Sequence, residues 1–398
     1  MFAPLDGVRV IDLTHVLAGP TCTHLLALLG ADVVKVEPPE GDSTRGGGPV
    51  GELNDAGLGL AFCTQNSDKS SIVVDLSAPA GPGIVRALVA GADVVVENFR
   101  PGVADRLGLG VDALTAITPS LVYVSLSAYG QDGPLGHRPA YDHVVQAMSG
   151  IMEVTGTEAT GPVKVGAPYV DYAAGQRAAF ATLAAVLEQR RTGRAQRVDV
   201  AMLDAALLLM ASALTATAVT GRRPAKLGNE AASGAAASGC FNTADGLLAV
   251  AANTDRQFRA LCAALGRAEL ADDERFAAAA DRQANASAFR TVVSDVLATS
   301  PADRWEAVLD TAGVPAARVR SLDVLLEEGQ PAARGVLAPV EVDGRTLALP
   351  TVGFKVGGEA PGPRRPPPAL GADTDRVLAD LGYDGVAIAA LRADGVVG

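Results

Sequence analysis

The chain has few of the residues that hold small secreted folds or metal centres together. Its four cysteines, Cys22, Cys63, Cys240 and Cys262, lie far apart, and only four histidines accompany them. Neither a disulfide framework nor a zinc site fits that spacing, which predicts a reducing, cytoplasmic setting. Basic residues are in deficit too. The 33 Lys and Arg stand against 45 Asp and Glu, a net charge of -12 with no basic stripe, which argues against a nucleic-acid partner. Anionic cofactors stay open, because acidic proteins bind phosphates locally. The opening MFAPLDGVRVIDL has no charged leader and no cleavable apolar core, so no signal peptide is expected. No apolar run reaches membrane length. The longest, 205–219, is entered through Asp204 and predicts a buried helix, with no membrane partner.

What is present points to a folded enzyme-sized chain. Hydrophobic residues make up 48% and charged residues 20% of 398, too many residues for one ordinary core. Val- and Ile-rich runs at 8–13, 31–37, 71–76, 92–99 and 121–130 alternate with helical spacing at 21–30, 80–91 and 111–117. Such runs suit parallel strands buried on both faces. Two helices are expected at about 172–191 and 199–220, and a Gly-, Ala- and Ser-rich linker or mobile loop follows over 221–239. CFNTADGLLAVAA (240–252) predicts a hairpin turning at Asp245-Gly246. The expected fold is α/β: a large Rossmann-like, doubly wound domain interrupted by a smaller α+β domain. The boundaries fall at 1–224, 225–325 and a return segment, 326–398.

Ligands of open α/β sheets bind beyond the carboxyl ends of the strands. The first strand is followed by Thr14-His15-Val16-Leu17-Ala18, the second ends in Glu37-Pro38, and the fourth is followed by Asn98-Phe99-Arg100 with Arg106 one turn on. Tyr141 and His143 come after the fifth. The first turn reads HVLAGP and lacks the glycine fingerprint of a dinucleotide site. Arg100 and Arg106 are either solvated charges or, beside an aromatic at a strand end, a pocket for phosphate and adenine. Tyr141 and His143 read first as packing residues. Asp171, in APYVDYAAGQ, reads as the N-cap of a helix beginning near Tyr172, or as a bare carboxylate open to reaction, with no second carboxylate beside it in sequence.

Six stretches, PLDGVRVIDLTHVLAGP, LLGADVVKVEPPEGD, ADVVVENFRPGVADRLGLG, AYDHVVQAMSGIMEVTG, TGRAQRVDVAMLDAAL and PALGADTDRVLADLG, occur in order across nearly the whole chain. With them the sequence resembles the family III CoA-transferases, whose relatives include formyl-CoA:oxalate CoA-transferase, carnitine CoA-transferase and α-methylacyl-CoA racemase. The resemblance implies an acyl-CoA donor, a carboxylic-acid acceptor, coenzyme A thioester as substrate with no permanently bound cofactor, and an interlocked homodimer of ring-shaped subunits. It puts the family's nucleophile on Asp171, and CoA contacts on or near His15, Leu17, Ala18, Pro38, Asn98, Phe99, Arg100, Arg106 and Tyr141. Two departures matter. Leu17 stands where some transferases carry Gln, and AASGAAASG replaces a Gly-rich lid, so oxalate is not the expected acceptor. Tyr141 stands where the racemase branch has His, which favours transfer over a 2-methylacyl-CoA racemase unless His143 reaches the site. A CoA-ester-binding protein without turnover is the third reading, and an intact Asp171 speaks against it. An ordinary Asp titrates near ~4, so Asp171 is expected to be ionised at neutral pH, helped by the dipole of the helix it begins.

Overall fold

Six short strands lie side by side in the computed structural model, which describes residues 2–398. They are β1 (Arg9–Leu13), β2 (Asp32–Glu37), β3 (Lys69–Val73), β4 (Val94–Glu97), β5 (Val122–Ser127) and β6 (Gln196–Ala201). All pairs are parallel and the order is β3-β2-β1-β4-β5-β6. The chain reverses direction of travel across the sheet between β1 and β4, and this opens a crevice beyond their carboxyl ends. The helices that bear on the site are α1 (Ala18–Leu28), α2 (Gly81–Val89), α3 (Asp142–Ser149), α4 (Tyr169–Thr192), α5 (Met202–Leu209) and α6 (Ala211–Thr220).

Side-chain alternation divides the core in two. Val10, Val33, Val94, Val96, Val122 and Val124 face one side, with α1, α4 and α5 over them. Ile11, Leu13, Val34, Val36, Ile72 and Val95 face the other, covered by α2 and by Val377, Leu378 and Ile388 from the end of the chain. That returning segment also closes the edge strand β3. Ser71 N donates to Asp373 Oδ2 at 3.0 Å, and Val73 N donates to Thr374 Oγ1 at 3.1 Å.

The chain divides into two compact units. One holds the residues up to Met152, Lys164–Arg223 and Gln330–Gly398, and the other holds Glu153–Val163 and Pro224–Gly329. The segment Glu153–Val163, which sequence patterning assigns to the large domain, therefore belongs to the small unit. The small unit has an antiparallel sheet of β7 (Ser238–Asn242), β8 (Leu247–Ala251) and β9 (Ala316–Arg318). Its core is built on Phe258, Phe276 and Phe289, whose rings stand 5.3 and 5.4 Å apart.

Three expectations change. Residues 196–201, expected as the end of the TGRAQRVDV connection and the start of a helix at about 199, form β6, a sheet edge whose polar residues face solvent. The apolar run 205–219 is not one buried helix. It bends by 84° between α5 and α6, and no residue of α6 is buried. The 229–239 stretch is no bare linker either. Arg290 pairs with Glu230 at 2.8 Å and donates to Ser238 O, Cys240 N donates to Asn229 O, and Ala236 and Ala237 are buried.

Helix α1 packs closely against α4. The contact depends on small residues, Ala174, Gly175, Ala178 and Ala179, along one stripe of α4. A Cβ on Gly175 would lie 2.6 Å from Ala18 O and 2.7 Å from Thr21 Cβ. Gly175→Ala should therefore destabilise the large unit by about 1–3 kcal/mol through overpacking. Thermal or urea denaturation checks this, and an unchanged midpoint would show that the two helices slide apart freely.

Candidate functional site

The turn after β1 carries the candidate binding residues, and buried charges set its shape. Lys69 Nζ is fully buried and donates to Asp12 Oδ2 (3.0 Å), Thr23 Oγ1 (2.8 Å), Asn66 Oδ1 (2.8 Å) and Pro20 O (3.2 Å). Burial works against the Asp12 charge, yet Lys69, Lys35 and the Thr14 and Thr23 hydroxyls hold it well below the usual carboxylate range. Lys35 Nζ, also fully buried, donates to Thr14 O at 2.7 Å and pairs with Asp42 at 3.1 Å. Asp42 in turn accepts from Val16 N at 3.2 Å. Val16 has φ 71°, a left-handed conformation that a β-branched residue adopts only when its surroundings impose it. This strained residue sets His15 on one side of it and Leu17, the residue that opens α1, on the other.

His15 is bracketed by one amide from the far side of the crevice. Its N donates to Asn98 Oδ1 and its O accepts from Asn98 Nδ2, both at 2.9 Å. Its ring stands 6.2 Å from that of Phe99. Burial, then Lys35, pushes the imidazole below its ordinary pKa, so it is neutral at pH 7. His15, Pro38, Phe99 and Leu107 line a pocket of about 200 Å³ at the ends of β1, β2 and β4. Arg100 follows Phe99 and Arg106 precedes Leu107. Both are exposed, and neither forms an ion pair among the described residues. Beneath this loop Glu97 is almost wholly buried and accepts from Phe99 N at 2.8 Å; burial raises it to about 7.

Asp171 stands elsewhere in the same unit, at the amino end of α4. The helix starts at Tyr169, not near Tyr172, and its N-cap Pro168 has no side-chain oxygen to offer. The cap comes from another helix. Asp142, on the first turn of α3, accepts Val170 N at 2.7 Å and Asp171 N at 3.2 Å on Oδ2. Gln146 Nε2 donates to its Oδ1 at 2.6 Å, and Gln146 Oε1 accepts from Val165 N at 2.9 Å. Asp171 is thus not the cap, and in space it does have a second carboxylate beside it. Its own carboxylate, half-buried, accepts no hydrogen bond among the described residues. Four residues on, Gly175 touches Ala18 of α1, so Asp171 heads the stripe of α4 that packs against the start of α1.

The expectation of an ordinary, fully ionised Asp171 does not survive this geometry. Burial, and then the Asp142 charge, raises its pKa from 3.8 to about 7. The helix dipole that was to stabilise it faces the Asp142 carboxylate instead. The candidates therefore form two groups. His15, Pro38, Asn98, Phe99, Arg100 and Arg106 gather at the crevice, while Leu17 and Ala18 lead from it to α1 and α4. Tyr141 is 68% exposed, and His143 beside it is exposed as well. Asp142 and Gln146 went unnoticed in the sequence, although their spacing of four on a helix was visible there. The signal for Lys35 and Lys69 was also visible: one lysine in the Val-rich run DVVKVE and one opening the run KSSIV.

A raised pKa leaves a thermodynamic mark. The neutral form of Asp171 fits the fold better than the ionised one. That advantage is complete below the unfolded value near 3.8 and is lost as pH rises through about 7. Above pH 7 the ionised group costs roughly 1.4 kcal/mol per pH unit between the two values, a few kcal/mol in all. Asp171→Asn should therefore be more stable than the parent at pH 8, with the gap closing between pH 7 and pH 4. Denaturant titrations at several pH values decide it; a less stable variant at pH 8 would mean the carboxylate is held by interactions that favour its charge.

Comparison with known proteins places the chain among relatives. The family described as CoA-transferase family III matches residues 5–374. An acetyl-CoA:oxalate CoA-transferase of Acetobacter aceti is 41% identical over 84% of this chain and 85% of its own length. A succinate–glutarate CoA-transferase of Agrobacterium fabrum is 38% identical over 95% and 96%. The crystal structure of a CaiB/BaiF family protein from Brucella suis superposes with a TM-score of 0.84 at 34% identity, covering 96% of this chain and 100% of that one.

Proposed function

The chain belongs to CoA-transferase family III, and from that premise we propose that it moves CoA from an acyl-CoA to a carboxylic acid through a covalent intermediate on Asp171. The observation that carries this reading is the state of Asp171: half-buried, without a hydrogen-bond donor, and raised to about 7. A carboxylate so placed is a stronger base than an ordinary one and has no bond to break before it attacks.

An Asp171 oxygen attacks the thioester carbonyl, the C–S bond breaks, and CoA leaves as thiolate from a mixed anhydride. The thiolate attacks the aspartyl carbonyl and breaks its anhydride C–O bond. The donor acid departs, leaving an aspartyl-CoA thioester. The acceptor carboxylate attacks that thioester, expels the thiolate and forms a second anhydride. The thiolate then attacks the acceptor's carbonyl, and Asp171 returns as carboxylate. No proton is gained or lost overall. Both anhydrides must be kept from water.

The crevice supports the CoA half of the reading. The 200 Å³ pocket of His15, Pro38 and Phe99 suits an adenine ring, and the unpaired Arg100 and Arg106 suit its phosphates. Asn98 holds the His15 backbone in place for it. Leu17 and Ala18, at an α1 amino end without a side-chain cap, and the exposed Tyr141 belong to the thioester arm in this reading. The acceptor belongs to the carboxylic acids, and the Acetobacter relative keeps oxalate in the test panel despite Leu17 and the 229–239 loop. A homodimer, interlocked as the resemblance implies, is part of the same proposal. It would cover the exposed Val144, Met148, Phe180, Leu187, Leu214 and Val219.

Hydroxylamine intercepts activated acyl groups. Incubation with an acyl-CoA and hydroxylamine, followed by peptide mapping, should convert Asp171 to its hydroxamate, and Asp171→Ala should lose transfer by several orders of magnitude. Transfer should also rise with pH through about 7, as Asp171 ionises. A hydroxamate on another carboxylate would move the active site.

Arg106→Ala should raise KM for the acyl-CoA by roughly tenfold and leave kcat within about twofold, because a phosphate contact far from the carbonyl binds ground and transition states alike. A loss confined to kcat would place Arg106 at the reacting centre.

A further inference from the structure

A carboxylate at a helix amino end ordinarily gains from the exposed amides and the dipole there. At the start of α4 that gain goes to a different residue. Asp142 takes Val170 N and Asp171 N on one oxygen and Gln146 Nε2 on the other, and Gln146 is itself fixed by Val165 N. Asp142 and Gln146 are both buried, so the bonds are shielded from water. One of the two captured amides is the backbone N–H of Asp171 itself, so the grip fixes the turn from which the Asp171 side chain projects.

We propose that Asp142 is a positioning residue for the transfer reaction: it fixes the first turn of α4 while its carboxylate occupies the site that would otherwise stabilise the Asp171 charge. This rests on the reading of Asp171 as the nucleophile. The geometry separates two functions that one carboxylate cannot combine, since an acceptor of amide hydrogen bonds is a poor nucleophile until those bonds break. Asp142 accepts them, and Asp171 is left free. The like charge on Asp142 also adds to the rise in the Asp171 pKa.

The other titratable groups around α4 do not supply this effect. On α4 itself Tyr172 is raised by burial and contacts Gln65. On α1, Cys22 is kept a thiol by burial, and His24 is held neutral by burial and bonded to Ser67 at 2.7 Å. Lys69, near Gln65 in the chain, pairs with Asp12. His143 on α3, Asp204 on α5, and Arg197 and Asp199 on β6 are exposed.

The test reads Asp171 directly. In full-length protein labelled with ¹³C at aspartate carboxyls, the Asp171 signal is assigned by its loss in Asp171→Asn and titrated without substrate. The parent midpoint is expected at about 7. Asp142→Asn should lower it by roughly one pH unit, and the acid limb of kcat/KM should move with it. That single change sets one side-chain amide against the amide of Gln146 and weakens the cap, so a second variant separates charge from capping. In the double variant Asp142→Asn/Gln146→Glu, the carboxylate introduced on α3 can accept from the side-chain amide at position 142 and from Val165 N. Every bond is then restored, with the charge one turn further off. The double variant should regain the parent's thermal midpoint yet keep the lowered Asp171 titration and a kcat reduced roughly tenfold. An Asp171 midpoint unmoved in both variants, with transfer lost in Asp171→Asn, overturns the proposal alone and leaves Asp142 a cap. Transfer retained in Asp171→Asn overturns the nucleophile reading and this proposal with it.

Discussion

Two lysines without exposed surface, Lys35 and Lys69, are the constraint on which the crevice depends. A buried ammonium is tolerable only when its hydrogen bonds are made, and Lys69 makes four. Those bonds join β1, α1 and the chain entering β3 at one nitrogen atom. Lys35 joins β2 to the turn after β1 and to Asp42, which holds the strained Val16. Glu37 extends the network, with Arg45 at 2.6 Å and Ser71 Oγ at 2.6 Å. Breaking one partner of such a pair commonly costs about 3–5 kcal/mol, roughly a third of a domain's stability. Buried pairs of this kind are weak evidence of net stabilisation. What they supply here is a single conformation for the turn that carries His15 and Leu17.

The same unit keeps carboxylates in opposite conditions. Asp12, Glu37 and Asp42 are buried but supplied with cations and donors, and all three titrate below their ordinary values. Asp171 is less buried and is supplied with neither, and it titrates far above. Environment alone divides these carboxylates into ones whose charge is stabilised and one, the proposed nucleophile, whose charge is not. The second condition is maintained at the expense of stability, a common trade at reactive sites.

The parallel sheet was legible because most of its strands are short Val- and Ile-rich runs between helical spacings, and the strand-end rule then marked His15, Pro38, Asn98 and Phe99. β6 was hidden because QRVDVA alternates polar and apolar residues and follows a turn-like TGRA, as an edge strand does. α6 misled for a different reason. Its Ala- and Thr-rich run looks like core, but small residues on a helix do not say what covers them. Asp171 was singled out through the family resemblance, while its electrostatic setting was out of reach. Asp142 lies 29 residues away, and sequence spacing does not show that α3 points its first turn at the start of α4. The start of α4 was equally obscured, because Pro168 and the β-branched Val170 read as an extended approach to the helix.

The closure of β3 by the end of the chain has a consequence for synthesis. Asp373, which accepts from Ser71 N, lies 302 residues further along, beyond the whole of the small unit. A ribosome adding about 5–20 residues per second needs on the order of 15 to 60 s to cross that distance. For that interval the large unit has a parallel strand with an open edge and a sheet face still missing Val377, Leu378 and Ile388. The small unit, continuous but for Glu153–Val163, emerges complete before its host does. Chain order thus makes the inserted unit the first to emerge whole, and leaves the crevice and Asp171 in a half-covered sheet until the last helices arrive.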